Sequence, residues 1–306
     1  MALRRIKIGL AILIAACMPL GSFLLGTQYR INGLFPTIAS GGAKLQGQHS
    51  SLRYDDYGRL VAFPGKQQVD CPAQTPRTAV LLVFGQSNSA NYQGQRYRAV
   101  DRRVVNFFGG KCTLAESPLL GASGEYGESW TLLGNKLVAA GLFDQVVLVP
   151  AGIGATLISR WAAGGDLNRM LVEVVDEVEP VYKITHVLWH QGENDFGNGT
   201  TEAAYFAAFQ SIVATLRAAK VFAPVYVSRA SYGPVDRLDP NYANAGQWRK
   251  DNPVAAAQAK LPDGKSIFAG PDTDADISPL DRYDGVHFSA FGQEIFANRW
   301  LEILKR

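Results

Sequence analysis

The sequence holds little cysteine and little charge, with three cysteines and 19% Asp, Glu, Lys and Arg in 306 residues. None of its Cys or His residues is spaced like a zinc-binding set, so a metal-stapled fold is not expected. Charge of one sign is lacking too: 30 basic residues face 27 acidic ones for a net +3, and no long basic run occurs beyond the N-terminus. Nucleic acid is therefore not an expected partner. There is no internal repeat and no low-complexity segment, and no long apolar lid lies near the polar motifs, which disfavours a lipase. What remains is a chain with 47% hydrophobic residues and 31 glycines. That suffices for one substantial core in a loop-rich α/β enzyme rather than a helical bundle.

Residues 1–30 stand apart and read as a membrane anchor or signal segment. Arg4, Arg5 and Lys7 precede Ile8 to Gly26, an uncharged run just long enough to cross a bilayer as a helix. The basic flank would stay in the cytoplasm and send the rest outward, as an inner-membrane-anchored periplasmic domain or a secreted protein or lipoprotein. Ile14-Ala15-Ala16-Cys17 resembles a lipoprotein processing box, and Ala15-Ala16 could border a cleaved signal; continuation through Phe23-Leu24-Leu25 favours a retained anchor. Residues 31–76 read as a tether and N-terminal arm, with a short hairpin around Tyr54 to Val61. In an exported chain Cys71 and Cys112 would pair as a disulfide; two independent buried thiols are the alternative.

From Arg77 onward strand-like and helix-like runs alternate. The expected strands are Ala79 to Phe84, Val104 to Phe108, Gln145 to Val149, His186 to Trp189 and Pro224 to Val227. The expected helices are Trp130 to Ala140, Leu167 to Val178, Thr201 to Lys220 and Ala290 to Leu304, the last with Ser289 as N-cap. Continuous apolar strands alternating with helices predict an α/β fold, a mainly parallel sheet covered on both faces.

Ser87 follows the first strand in Phe84-Gly85-Gln86-Ser87-Asn88. A serine in such a turn is commonly a helix cap, but Ser89 is available for capping. Ala90 and Asn91 replace the second glycine of a Gly-x-Ser-x-Gly elbow, which disfavours the common α/β-hydrolase pattern. Near the other end, Asp284-Gly285-Val286-His287 sets a carboxylate three residues before an imidazole, close enough to orient it. A serine hydroxyl needs a base in reach, itself held by a third group, and Ser87, His287 and Asp284 offer those roles. A third segment, Trp189-His190-Gln191-Gly192-Glu193-Asn194-Asp195, crowds five polar side chains after an apolar strand. Gln191 or Asn194 could donate to a developing oxyanion, a contribution of roughly 3 kcal/mol, while Glu193 reads as structural. Gly124 to Trp130 leads into a helix, so the N–H of Gly127 could point at an anion. Gly152-Ile153-Gly154 has Leu157 where a dinucleotide fingerprint needs its third glycine, which disfavours a nucleotide fold. Arg160 and Trp161 could line a sugar site.

Together Gly85-Gln86-Ser87-Asn88, Trp189-His190-Gln191-Gly192-Glu193 and Asp284-Gly285-Val286-His287 resemble the SGNH hydrolase superfamily, in its sialate O-acetylesterase and acetyl-xylan esterase-like carbohydrate esterase branch. The resemblance covers residues 77–306. It implies a flavodoxin-like three-layer α/β/α sandwich and removal of O-acetyl groups without a metal or other cofactor. It further implies Ser87 as nucleophile, His287 as base then acid, Asp284 as its orienter, and oxyanion donors at Ser87, Gly127 and Gln191. Gly192-Glu193-Asn194-Asp195 also satisfies the wider superfamily's Gly-x-Asn-Asp, which makes Asn194 a rival to Gln191; Gly124 rivals Gly127. The expected partner is an acetylated carbohydrate. Acetyl transfer to a glycan hydroxyl by the same triad is the second reading, and a non-catalytic glycan-binding protein the third.

Overall fold

The uncharged run Thr78–Gly85 forms the central strand, and every residue in it is buried. Because side chains alternate along a strand, Val80, Leu82 and Phe84 enter one core while Ala79, Leu81 and Val83 enter another. Two cores on opposite faces of one sheet require helices on both. The computed structural model describes residues 51–232 and 252–306, which fall in one compact unit, His49–Arg306.

The strands are β1 Arg53–Tyr54, β2 Leu60–Ala62, β3 Gln68–Val69, β4 Thr78–Gly85, β5 Val104–Phe108, β6 Lys111–Leu114, β7 Gln145–Pro150, β8 His186–His190, β9 Val225–Arg229 and β10 Ile267–Asp272. Eight of them form the main sheet in the order β10-β9-β8-β4-β7-β5-β6-β3. Pairing is parallel from β10 to β5 and antiparallel at β5–β6 and β6–β3. The helices are α1 Trp130–Ala139, α2 Ile158–Trp161, α3 Asp166–Val178, α4 Glu193–Gly197, α5 Glu202–Ala218, α6 Pro253–Lys260, α7 Thr273–Asp276 and α8 Ala290–Leu304. Leu167, Met170, Leu171, Val174, Val175 and Val178 form the buried stripe of α3; their burial contributes on the order of 10 kcal/mol. They share the Val80 side of the sheet with α5 and α6, while Trp130 and Leu133 of α1 and Phe296 and Trp300 of α8 cover the other. This is the expected three-layer α/β fold. β3, β6 and β10 and the helices α2, α4, α6 and α7 have no counterpart among the expected elements.

The chain leaves β4 for one side of the sheet, returns as β7, then crosses to build β8, β9 and β10 on the other. The carboxyl ends of β4, β7 and β8 thus border the crossing point, where open α/β sheets hold ligands.

The N-terminal arm joins the same unit. β1 and β2 form the expected hairpin, Arg53 opposite Ala62. Leu60 accepts from Gly121 N–H and donates to Ala122 O, and β3 pairs with β6 so that Val69 faces Cys112. Cys71 and Cys112 form a disulfide with Cα atoms 5.1 Å apart. The apolar run Ile8 to Gly26 lies outside the described residues; among those described, no helix is long and apolar enough to cross a membrane.

Candidate active site

Gly85 lets β4 turn out of the sheet. Its φ is +132°, and a Cβ there would sit 2.0 Å from the carbonyl oxygen of His190 on β8, so only glycine fits. Ser87–Ser89 then make one 3₁₀ turn rather than the start of a long helix. Ser89 caps nothing: its Oγ is buried with no hydrogen-bond partner among the described residues. Ser87 keeps 6% exposure.

Asn88, fully buried, ties three segments together. Its Nδ2 donates to Glu193 Oε1 at 3.0 Å and to Val286 O at 3.2 Å, while its Oδ1 accepts from Phe288 N–H at 3.2 Å. The backbone groups on either side of His287 are therefore bound to the residue that follows Ser87. Gln86 links the loop after β8 similarly, its Oε1 accepting from Gly192 and Asn194 N–H at 3.2 Å each. No feature of the sequence pattern marked Asn88 for this role, although a polar residue in an otherwise buried strand-end turn must find partners.

His287 is held on its ring edge and on its faces. Nδ1 lies 2.6 Å from Asp284 Oδ2, and Asp284 Oδ1 accepts from the His287 and Val286 N–H groups at 2.8 and 3.0 Å. Partial burial raises the Asp284 carboxyl, but the His287 hydrogen bonds outweigh it and bring the group down to about 2. Tyr92 and Tyr283 stack on the imidazole with centroids 5.8 and 6.0 Å away, and Tyr283 donates to Tyr92 O at 2.8 Å. These tyrosines were not among the expected site residues. Among the described residues Nε2 forms no hydrogen bond, and neither does the Ser87 hydroxyl, so both remain available to a substrate.

The glycine and amide donors sort differently from the expectation. Gly127 exchanges backbone bonds with Gln93 in both directions, at 2.8 and 2.9 Å, so its N–H is spent. Gly124 has φ +88° and lies so close to Asn91 O that a Cβ would stand 2.5 Å away; its N–H has no partner among the described residues. Gln191 is fully buried, and its Nε2 donates to Thr156 O at 3.0 Å and to the Asp195 carboxylate. Both its N–H bonds are used inside the protein, which removes Gln191 as a donor. Asn194 is only partly buried and commits one N–H, to Ala155 O at 3.0 Å, leaving the other.

Glu193 and Asp195 are structural, as their crowding suggested. Burial raises the Asp195 carboxyl even though Thr200, Gln191 and the Ile158 N–H bond it. The sugar-site expectation for Arg160 and Trp161 changes. Trp161 is 0% exposed, packed edge-on against Phe84 and Trp189 with centroids 5.4 and 5.6 Å away; it is core and cannot touch a ligand. Arg160 forms a two-point ion pair with Asp166 on the surface, at 3.0 and 2.6 Å. Among the described residues no group of three or more His, Cys, Asp or Glu converges as for a metal ion.

Residues 77–299 match the family model for carbohydrate esterases of the sialic acid-specific acetylesterase type. The chain belongs to this family. It is thus a carboxylic ester hydrolase acting on O-acetylated carbohydrate. Among solved structures, a protein from Arabidopsis thaliana aligns with TM-score 0.57 and 18% identity over 76% of this esterase and 98% of that chain. NanS gives TM-score 0.46 and 16% identity, covering 74% and 96%. The acetylxylan esterase Axe2 from Geobacillus stearothermophilus gives 0.47 and 16%, covering 74% and 94%. The Arabidopsis likeness supports the fold alone. No curated protein sequence matches the chain.

Proposed function

We propose that this esterase removes O-acetyl groups through an acetyl-serine intermediate, with Ser87 as nucleophile, His287 as general base and then acid, and Asp284 as its orienter. The observation that carries the reading is the Asp284–His287 pair, bound through Asn88 to the turn of Ser87 with Nε2 left open. Ser87 Oγ attacks the acetyl carbonyl carbon while its proton passes to Nε2; Asp284 holds the Nδ1–H and stabilises the imidazolium. The N–H groups of Ser87 and Gly124 and the remaining Asn194 N–H receive the oxyanion. Collapse breaks the ester bond, and the sugar oxygen takes the proton from His287. Water then attacks the acetyl-serine with His287 again as base, releasing acetate and restoring Ser87.

Export is part of the proposal. The basic flank and apolar run of residues 4–26 and the Cys71–Cys112 disulfide both suit an oxidising compartment beyond the inner membrane.

The decisive experiment is Ser87→Ala assayed on an aryl acetate. Hydrolysis should drop at least ~10³-fold at unchanged Tm, and a fluorophosphonate should label Ser87 of the parent protein. Retained turnover, or labelling elsewhere, would sink the assignment. Acetyl transfer exceeding hydrolysis when an acceptor glycan is present would place the chemistry with transferases instead.

A further inference from the structure

His287 lies in a closed loop that an arginine at its base braces from inside. Arg282 and Phe288 face each other across an isolated antiparallel bridge, Ser289 N–H donates to Asp281 O at 2.8 Å, and Tyr283 N–H donates to His287 O at 2.9 Å. Asp284 and His287 therefore sit in a span, 282–288, whose ends are tied. Arg282 Nη1 folds back into that span and donates to Val286 O at 2.7 Å, while Nη2 donates to Thr273 O at the start of α7, at 3.1 Å. The guanidinium carbon lies over two rings, 4.5 Å from the Tyr232 centroid and 5.0 Å from that of Phe288.

Stability alone is a poor account of this arginine. It is 5% exposed, its hydrogen bonds run to backbone carbonyls rather than to a carboxylate, and its Nε is buried with no hydrogen-bond partner among the described residues. Burial pushes the guanidinium down, and Glu193, Asp274, Tyr232 and Asp281 act to raise it without prevailing; arginine stays charged nonetheless. A charge buried in this way costs more to desolvate than an apolar side chain of the same volume. What the charge contributes is polarisation of one peptide unit. Val286 O accepts from Arg282 and from Asn88 Nδ2, and the N–H of the same unit, that of His287, donates to Asp284 Oδ1 at 2.8 Å. A cation on the carbonyl strengthens the bond that the N–H donates. The receiving carboxylate is the one whose Oδ2 holds His287 Nδ1 at 2.6 Å.

We propose that Arg282 is a positioning residue of this esterase: its buried charge, carried through the Val286–His287 peptide unit to Asp284, fixes the imidazole at the angle from which Nε2 meets Ser87. Arg282 itself touches no substrate. The proposal rests on the reading of His287 as base. Because that base works in both half-reactions, loss of the brace slows acylation and deacylation alike, so kcat falls while KM holds.

The test is aryl acetate turnover by the full chain per serine labelled to completion with a fluorophosphonate, so that only folded sites are counted. Arg282→Met, which keeps the volume but neither donor nor charge, should lower kcat roughly 10²-fold at unchanged KM. Arg282→Lys, which restores a charged donor, should recover about tenfold of that loss, and Arg282→Gln, with neutral donors, should recover less. Asn106→Ala is the control. It strips Leu120 N–H and O of their buried partner on β5, two strands from β4 in the sheet, and should lower Tm with kcat per labelled serine unchanged. A kcat for Arg282→Met within about threefold of the parent, a loss that falls in KM, or Arg282→Lys no better than Arg282→Met would overturn the proposal. If Arg282→Met does not fold, the other two variants decide, and Arg282→Gln at or above Arg282→Lys overturns it. Failure of the esterase reading shows elsewhere, as a Ser87→Ala protein that still hydrolyses aryl acetate.

Discussion

Among the described residues two imidazole–carboxylate pairs share a three-residue spacing, and their surroundings are opposite. In His190–Glu193 the contact is Nε2 to Oε1 at 3.3 Å, with side chains 0% and 4% exposed. In Asp284–His287 it is Nδ1 to Oδ2 at 2.6 Å, with the histidine 20% and the aspartate 40% exposed. The first pair is sealed: His190 Nδ1 and Glu193 Oε2 are buried with no hydrogen-bond partner among the described residues. Burial raises the Glu193 carboxyl, but His190 and Asn88 outweigh it and the net direction is down, so Glu193 stays an ionised acceptor for the Asn88 amide. The second pair spends the inner ring nitrogen and leaves the outer one open. Burial and choice of nitrogen, not spacing, separate the brace from the proposed base.

The largest expected difference between the pairs is in kcat. His287→Ala should lower aryl acetate turnover by roughly 10⁴-fold while moving Tm by less than about 2 °C; steady-state kinetics and calorimetry on one preparation check both. A second contrast concerns the two amides between the pairs. Asn194→Ala should cost about 10²-fold in kcat with little change in KM, whereas Gln191→Ala, which unmakes a buried network, should show mainly as lost stability. If Gln191→Ala instead lowers kcat at full stability, the donors have been assigned the wrong way round. The smallest effect on kcat is expected from the sealed pair. Glu193→Ala should leave turnover per folded molecule within about tenfold yet lower Tm by about 8 °C, because buried donors on Asn88 and His190 lose their acceptor.

Much of this was legible from the chain. The parallel sheet and the helices α1, α3, α5 and α8 follow from apolar runs and their period, and tertiary packing did not override them. Several elements escaped, three of them for plain local reasons. β10 carries Gly270 and Pro271 inside it, which read as breakers; β6 is four residues long; α6 has the alanine-rich sequence Pro-Val-Ala-Ala-Ala-Gln-Ala-Lys, without a strong stripe. Among candidate site residues, the sequence identified polar segments but not the direction of their side chains. Trp161 and Gln191 lie in or beside site loops and point into the core, while Tyr92 and Tyr283, unremarkable in sequence, flank His287. What separates Gly124 from Gly127 is that the Gly127 N–H is already bonded to Gln93 O, across an isolated bridge far apart in sequence.

The buried amide of Asn88 bears on how such an enzyme can change over time. Its side chain supplies two donated bonds and one accepted bond in fixed directions. Aspartate lacks the donors, glutamine is one carbon too long, and serine cannot reach three partners at once. Variation at this position cannot trade stability for activity, since the same three bonds serve both. Adaptation to a new acetylated sugar is thereby channelled to the periphery, onto the tyrosines around His287, where a substitution can alter what is recognised without loosening what reacts.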